Sequence, residues 1–255
     1  GWDSPWGRGR PGWHIECSSI IKTYLGETID IHLGGNDLIF PHHENEIAQS
    51  NCAHDGKSLS KYWIHNGFIS MDKEKMSKSV GNIILVNDIL KNYTGEAIRL
   101  AMLTTHYKQP MDWNENILIQ ANKNLENFYD VIGDKKNFES IEPPKKFFDA
   151  LLNDLNTPEA LKELYELSKN KNAKDQLKSA ANYLGILQLT KTEWINQRKK
   201  IKNLDQKKIE KLIDNRNKAR KEKNFVEADK IRDKLTLDNI ILEDSPSGTK
   251  WRINN

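Results

Sequence analysis

The spacing of the apolar residues changes partway along this chain, and that change limits the folds open to it. Up to about Met71, short apolar runs such as Ile29–Leu33 and Gly67–Ile69 alternate with helical stretches, which is the pattern of a parallel α/β sheet. From about Asp112 the apolar residues recur three and four apart, which predicts a helix with one buried face. They are Leu118, Ala121, Leu125, Phe128 and Ile132. We therefore predict an α/β part followed by a helical part.

Basic residues are concentrated near the C terminus. Residues 198–234 hold fifteen Lys or Arg against seven Asp or Glu, so the segment carries +8 in a chain whose net charge is +3. Such a segment is either a solvated helical face or a surface for the phosphate backbone of RNA. We predict helices at Gln206–Lys223 and Phe225–Leu235. A β-hairpin should follow, because Ile240–Leu242 and Lys250–Ile253 flank a Ser-Pro-Ser-Gly turn.

Composition narrows the class of protein. With 37% apolar residues the chain can bury a core, and 255 residues leave room for two or more domains. No run of about 18 apolar residues is present, so no membrane span is predicted. The two cysteines, Cys17 and Cys52, cannot form a disulfide framework and fit a reducing compartment. We expect a cytoplasmic protein in which Cys52 is a packing residue.

Three residues of the α/β part could hold one metal ion. His42 and Glu46 are four apart, so in the first turn of a helix their side chains share one face. Cys17 can add a thiolate, the softest of the ligands that zinc accepts. Taken singly, each is as readily an ordinary polar or buried residue. His43 and Glu44 are competing choices that would point elsewhere on a helix, and we expect supporting or structural roles for them.

A short loop carries two lysines around small hydroxyl residues. Residues Lys75–Ser79 read Lys-Met-Ser-Lys-Ser and lie between Asp72 and Gly81. Lysines on a loop of this kind can close over a triphosphate and stabilise negative charge on a leaving group. The alternative is an exposed, solvated charged loop.

Four motifs together resemble one enzyme family. They are Gly12–Cys17, His32–Asp37, Pro41–Glu46 and Lys75–Ser79, the last similar to the second signature of class I aminoacyl-tRNA synthetases. The set resembles cysteinyl-tRNA synthetases. The resemblance implies a ligase that uses ATP with Mg2+ to activate L-cysteine as cysteinyl-adenylate. The cysteinyl group would then pass to the 3' end of tRNA(Cys).

The resemblance also implies a zinc site. It matches Cys17, His42 and Glu46 to the Zn2+ ligands of the family, with a Cys upstream as the fourth ligand. A hydrophobic pocket separates cysteine poorly from serine, whereas a soft ion prefers the thiolate. Zinc is therefore expected to select the substrate, and Trp13 is expected to form a wall of the amino-acid pocket.

The nucleotide site follows from the same resemblance. Lys75 and Lys78 are expected to act on the ATP phosphates, with Lys78 the principal contact. Gly34, Gly35 and Asp37 are expected to bind the adenosine. No general acid or base is expected, because the attacking carboxylate of the substrate is already ionised.

The expected layout has four parts. Residues 1–72 would be the second half of a Rossmann-like nucleotide-binding catalytic domain, and residues 73–111 the Lys loop with a connecting, stem-contacting fold. Residues 112–203 would form a helical bundle, and residues 204–255 a small α+β domain that contacts the tRNA anticodon. Because the opening Gly1–Gly12 is loop-like, we expect a fragment without the first half of its catalytic domain. We also expect a monomer.

Two other functions fit part of the same sequence. One is a cysteine ligase that joins activated cysteine to an amino sugar, although its members lack the full C-terminal segment. The other is a non-catalytic, zinc-containing RNA-binding paralogue, in which the Lys loop would be unneeded. In the C-terminal hairpin, Trp251 and Arg252 could contact unpaired bases and phosphates, or Trp251 could equally anchor the core of a small domain.

Overall fold

The computed structural model shows two compact units. One comprises Gly1–Met76 with Thr105–Trp113, and the other comprises the rest of the described chain. No helix within the described ranges is long and apolar enough to cross a membrane. The described residues are 1–71, 74–76, 83–139, 141–201, 206–222, 224–237, 240–245 and 248–253.

The first unit is built around two parallel strands. Helix α1 (Trp13–Tyr24) precedes β1 (Ile29–Gly35), and α2 (Glu44–Ala53) leads to β2 (Ser60–Asn66). Strands β1 and β2 pair from Ile29 opposite Ser60 to Gly35 opposite Asn66. The parallel α/β arrangement predicted for this part is therefore confirmed, and β1 contains the predicted run of apolar residues.

A second small sheet completes the first unit. Strand β3 (Ile69–Met71) pairs antiparallel with β4 (Glu74–Lys75) and parallel with β5 (Met111–Asp112). Gly67 precedes β3 where the backbone comes close to another segment. A Cβ at Gly67 would lie 2.4 Å from the carbonyl oxygen of Gln109, so only glycine fits there.

The second unit is helical, and its core contains the predicted apolar stripe, which lies on α5 (Glu115–Ile132). All five stripe residues named above are buried. Helix α4 (Gly95–Leu103) packs on α5, and its Glu96 carboxylate accepts hydrogen bonds from the Tyr129 hydroxyl (2.7 Å) and the Gln188 backbone N–H (2.8 Å). Among the described residues of this unit before 202, the α-helices are α3 (Val86–Ile89), α4, α5, α6 (Lys145–Leu152), α7 (Thr157–Lys169), α8 (Lys174–Tyr183) and α9 (Lys191–Ile201).

The start of α7 differs from what its sequence predicts. The pair Thr157-Pro158 predicts a helix with Thr157 as its N-cap and Pro158 in its first turn. The Asn156 side chain accepts a hydrogen bond from the Glu159 backbone N–H at 3.2 Å, so Asn156 is the N-cap. Thr157 and Pro158 are the first two helical residues. Both Asn and Thr cap helices well, and two adjacent candidates made the choice ambiguous.

The C-terminal region has the two helices and the hairpin predicted for it. These are α10 (Gln206–Lys221), α11 (Phe225–Leu237), and antiparallel strands β6 (Ile240–Ser245) and β7 (Gly248–Ile253). Trp251 packs against the core of this region and also lies 4.1 Å, by ring centroid, from Lys199 Nζ. That core consists of Ile209, Ile213, Ile231, Leu235, Ile240 and Leu242.

Candidate functional site

The three predicted metal ligands come together in the first unit. The Cys17 thiol on α1, the His42 imidazole just before α2 and the Glu46 carboxylate in the first turn of α2 offer ligand atoms that all lie within 4.8 Å of one another. His42 Nε2 is 2.6 Å from Glu46 Oε1, which the four-residue spacing allows. The fold therefore groups these residues, as the sequence predicted.

Glu46 is the most deeply buried member of the group, with 0% of its surface exposed. Its second oxygen, Oε2, is 2.8 Å from His32 Nε2. Both contacts are short, yet their directions do not satisfy hydrogen-bond geometry. Neither carboxylate oxygen therefore has a hydrogen-bond partner among the described residues. A buried carboxylate in that position is costly unless a cation or a donor compensates it.

The donor set fits a zinc ion. Thiolate, imidazole and carboxylate are the three ligand types that zinc takes in proteins. Burial, followed by the negative charge of Glu46, raises the pKa of the Cys17 thiol. A divalent cation would reverse that effect, because a coordinating thiol is deprotonated. The unpartnered carboxylate and the thiol therefore both gain from a cation held between them.

A second group of possible ligands shares the same carboxylate. His32, His43 and Glu46 also offer ligand atoms within 4.8 Å of one another. Sequence reasoning did not find His32, because strand periodicity alone does not show that this β1 residue faces α2. His43 Nδ1 lies 2.8 Å from His65 Nε2. Burial, with the neighbouring histidines, lowers the pKa of His43 to about 4.

Trp13 and His14 border the group from the first turn of α1. The Trp13 side chain is 54% exposed, and its ring stacks on that of His42 with centroids 4.2 Å apart and an interplanar angle of 16°. His14 Nδ1 is 2.9 Å from His42 Nδ1. Trp13 thus combines an exposed face with contact to a candidate ligand. Its role as a pocket wall remains a prediction.

Gly34 and Gly35 lie at the carboxyl end of β1, where parallel sheets bind ligands. A Cβ at Gly34 would lie 2.6 Å from His43 Cε1, and one at Gly35 would lie 2.6 Å from Asp37 Oδ1. The two glycines therefore make room for neighbouring side chains of the same chain. Contact of Gly34, Gly35 and Asp37 with adenosine remains a prediction.

The Lys loop is only partly described. The backbone of Lys75 lies in β4 opposite Ser70. Lys78, Ser77 and Ser79 lie outside the described residues, as do Asp72 and Gly81. The phosphate-binding roles of Lys75 and Lys78 remain predictions.

Cys52 differs from the expectation that it is a packing residue. It is exposed on α2, and the packing prediction is wrong. The buried residues of this helix are Glu46 and Ser50, which are four apart. Cys52 is two residues beyond Ser50 and therefore lies on the opposite side of the helix.

The chain matches two protein-family models. Residues 1–123 match the class I (C) tRNA synthetase catalytic domain, and residues 146–187 match the DALR domain. A solved LeuRS in ternary complex with tRNA and LeuAMS, from Agrobacterium radiobacter K84, matches with a TM-score of 0.48 at 14% identity. That match covers 61% of this chain and 25% of the other.

Three similar curated proteins carry the same name, cysteine-tRNA ligase. The relative from Parvibaculum lavamentivorans is 48% identical over 99% of this chain and 57% of its own length. The relative from Maricaulis maris is 46% identical with the same two coverages. The relative from Pelagibacter ubique is 47% identical over 99% of this chain and 56% of its own length. This chain thus spans a little over half the length of these relatives.

The catalytic-domain match, the DALR match and the parallel α/β fold define a class I tRNA synthetase. The identities of 46–48% across nearly the whole chain are all to one specificity. The chain belongs to the cysteinyl-tRNA synthetase family, as the sequence motifs predicted. The four-part layout predicted above remains a prediction.

Proposed function

We propose that this protein is a cysteine-tRNA ligase that activates L-cysteine with ATP and transfers it to the 3' end of tRNA(Cys). The observation that carries the proposal is the grouping of Cys17, His42 and Glu46 next to the glycine-rich end of β1. This grouping is a soft-metal donor set beside the edge of a parallel sheet where nucleotides bind. The family of the chain supports the same reaction.

In the proposed enzyme, Cys17, His42 and Glu46 hold Zn2+. The ion, when bound, supplies a soft acceptor that distinguishes the sulfur of cysteine from the oxygen of serine. Trp13, stacked on His42 and half-exposed, gives the substrate an apolar wall next to the metal. The buried carboxylate of Glu46 offsets part of the ionic charge.

The proposed ATP site uses Gly34, Gly35 and Asp37 for adenosine, and Lys75 and Lys78 for the phosphates. Attack of the cysteine carboxylate on the α-phosphorus releases pyrophosphate, whose developing charge the lysines and Mg2+ stabilise. The carboxylate needs no base, because it is ionised at neutral pH. Catalysis then depends on alignment and charge stabilisation.

The proposed tRNA contacts lie in the helical and C-terminal parts. Helices α10 and α11 carry most of the basic segment, and a DALR domain precedes them. Lysines on exposed helical faces suit the phosphate backbone, with a strong dependence on salt. A monomeric state and a cytoplasmic location remain predictions.

Aminoacylation with labelled cysteine tests this proposal. The chain is assayed alone and joined to the part of the Parvibaculum relative that it does not cover. We expect charging of tRNA(Cys) in the joined form. Lys78→Ala should reduce it by about 100-fold or more, because one charge-stabilising donor is lost. Lys57→Ala is the control, since this exposed lysine pairs with Glu27.

Three results would count against the proposal. Transfer of cysteine to an amino sugar instead of tRNA would indicate the alternative ligase. Binding of tRNA without ATP-dependent release of pyrophosphate would indicate the non-catalytic paralogue. Equal charging by the Lys78→Ala and Lys57→Ala variants would indicate that the Lys loop takes no part in the reaction.

A further inference from the structure

Two histidines outside the three-residue donor set each contact one of its members. His32 Nε2 lies 2.8 Å from Glu46 Oε2, and His14 Nδ1 lies 2.9 Å from His42 Nδ1. In both cases the contacted atom is not the one that would face the ion. Glu46 Oε1 and His42 Nε2 face each other at 2.6 Å on the other side.

Two aromatic rings pack against the ring of His32. His32 lies opposite Trp63 in the β1–β2 register, and the two rings meet edge-on with centroids 4.7 Å apart. The His43 ring also meets it edge-on, at 4.8 Å. His32 Nε2 then lies 2.8 Å from Glu46 Oε2, with 16% of the side chain exposed, but without the geometry of a hydrogen bond. His32 is therefore a packed ring beside the carboxylate, and a small reorientation of either group would make it a donor to Oε2.

The contact between His14 and His42 determines where their protons lie. Two Nδ1 atoms at 2.9 Å need one donor and one acceptor. A metal ion bound to His42 would occupy the lone pair of Nε2. The proton of His42 must then be on Nδ1, which donates to His14 Nδ1. His14 must in turn carry its own proton on Nε2. The stack of Trp13 on His42 holds this pair of rings in place.

We propose that His14 and His32 are positioning residues for the zinc ligands. His14 fixes the tautomer of His42, and His32 holds Oε2 of Glu46 so that Oε1 faces the ion. This inference rests on the zinc site of the proposed function. Outer partners of this type commonly change metal affinity by about 10- to 100-fold.

Zinc affinity, measured by competition with a chromophoric chelator, tests the proposal in the chain joined to the part of the Parvibaculum relative that it does not cover. We expect His32→Phe and His14→Phe to weaken binding by about 10- to 100-fold. His32→Gln, which keeps a donor near Nε2, and His14→Asn, which keeps an acceptor near Nδ1, should stay within a few-fold of the unaltered protein. His106→Phe is the control, because His106 stacks on Tyr107 in another segment of the same unit. Circular dichroism of each metal-free variant checks that it folds.

Nitrogen NMR of the histidine rings provides a readout that a packing role would not change. In the zinc-loaded protein we expect the proton of His42 on Nδ1, and those of His14 and His32 on Nε2. A proton on Nδ1 of His32, with Nε2 bare, would overturn its role as a donor to Glu46. A proton on Nδ1 of His14 would likewise overturn its role as an acceptor.

The affinities separate failure of this proposal from failure of the zinc site. If the joined protein without substitutions binds no zinc, the zinc site and the positioning roles fail together. If it binds zinc and the Phe variants bind equally well, only the positioning roles fail. If the Gln and Asn variants lose as much affinity as the Phe variants, the histidines act through packing, which also overturns the proposal.

Discussion

The two compact units are stabilised by different kinds of buried residue. In the helical unit, large apolar side chains such as Phe128, Tyr129, Phe147 and Trp194 are almost completely buried. The first unit has a small apolar cluster, Ile21, Ile29 and Leu59, against which Trp63 packs. Many of its other buried residues are polar, namely Ser18, His42, His43, Glu46, Ser50, His54 and Ser60.

The first unit also leaves several apolar residues of its two parallel strands exposed, unlike the apolar core of the helical unit. Ile31 and Leu33 of β1 and Tyr62 of β2 are exposed, although parallel sheets normally bury both faces. Burial of apolar side chains therefore accounts for the stability of the helical unit far better than for the stability of the first unit. Bound ligands and further apolar contacts should matter more to the first unit, and the experiments below test this difference.

The largest effect is expected from removing a core aromatic residue of the helical unit. Phe128→Ala should lower the free energy of unfolding by about 3–5 kcal/mol, because Phe128 is 1% exposed and the change leaves a cavity. Urea unfolding followed by helical circular dichroism measures the loss. Leu152→Ala is the control, since Leu152 is 83% exposed. Equal losses in the two variants would contradict the apolar basis of this unit.

Zinc should stabilise the first unit selectively. At a free zinc concentration one hundred times the dissociation constant, binding contributes about 2.7 kcal/mol. Hydrogen exchange should slow in α1 and α2, which carry the ligands, and stay unchanged in α5. Glu46→Gln should abolish the effect. Equal protection of both units by zinc would contradict the comparison.

The C-terminal hairpin should lose stability in acid. Hydrogen bonds from Arg216 and Thr249, together with the charges of Arg216 and Arg220, hold the pKa of Asp244 well below its ordinary value. A depressed pKa stabilises the folded state above the ordinary Asp value of about 4, and the stabilisation is lost as the pH falls through the folded-state pKa. Asp244→Asn should cost about 2 kcal/mol at pH 7, because Arg216 is buried but the carboxylate is partly exposed.

Hydrogen exchange of the β6 and β7 amides in the unaltered protein and the Asp244→Asn variant at pH 7 measures this contribution, and the difference between them should shrink as the pH falls below about 4. Asp30→Asn is the matched control, because the partner of Asp30, Lys61, is exposed. It should leave stability unchanged. A hairpin equally stable in the Asp244→Asn variant at pH 7 would show that apolar packing alone holds it.

A smaller effect is expected at Gly34. Gly34→Ala should cost about 1–2 kcal/mol, because the new methyl group would meet the His43 ring at 2.6 Å and force it to move. Thermal unfolding and the NMR signals of His43 measure the change. Gly12→Ala is the control, since nothing lies within 4 Å of its Cβ position. Unchanged NMR signals of His43 would show that the polar interior of the first unit is loosely packed.

Sequence alone predicted the parts of the fold whose signals are local. The stripe of α5 follows from its three- and four-residue spacing, and α10 and α11 end within two residues of their predicted ends. Strand β2 was missed, because Ser60–Asn66 mixes polar and aromatic residues and its parallel partner lies some thirty positions earlier. No local sequence signal indicates that two strands so far apart in the sequence will pair.

The candidate site was only partly predictable for a related reason. The four-residue spacing of His42 and Glu46 is a local signal, and Cys17 joined them mainly through the family motifs. His32 carries no such signal, because its contact with Glu46 depends on how α2 packs against β1. The structure supplies that packing, and the contact of His14 with His42 becomes visible for the same reason.

The first unit is discontinuous in sequence, and this has a consequence for how the protein can be divided. Its strand β5 returns to β3 only after α3 and α4, which belong to the helical unit. A polypeptide cut after Trp113 would retain α4 but lose α5, on which α4 packs. It would also lose Tyr129 and Gln188, which donate hydrogen bonds to Glu96 of α4. Recombination between relatives at a single breakpoint therefore cannot exchange the two units intact, and a chimera that exchanges whole units needs three crossovers, after residues 76, 104 and 113.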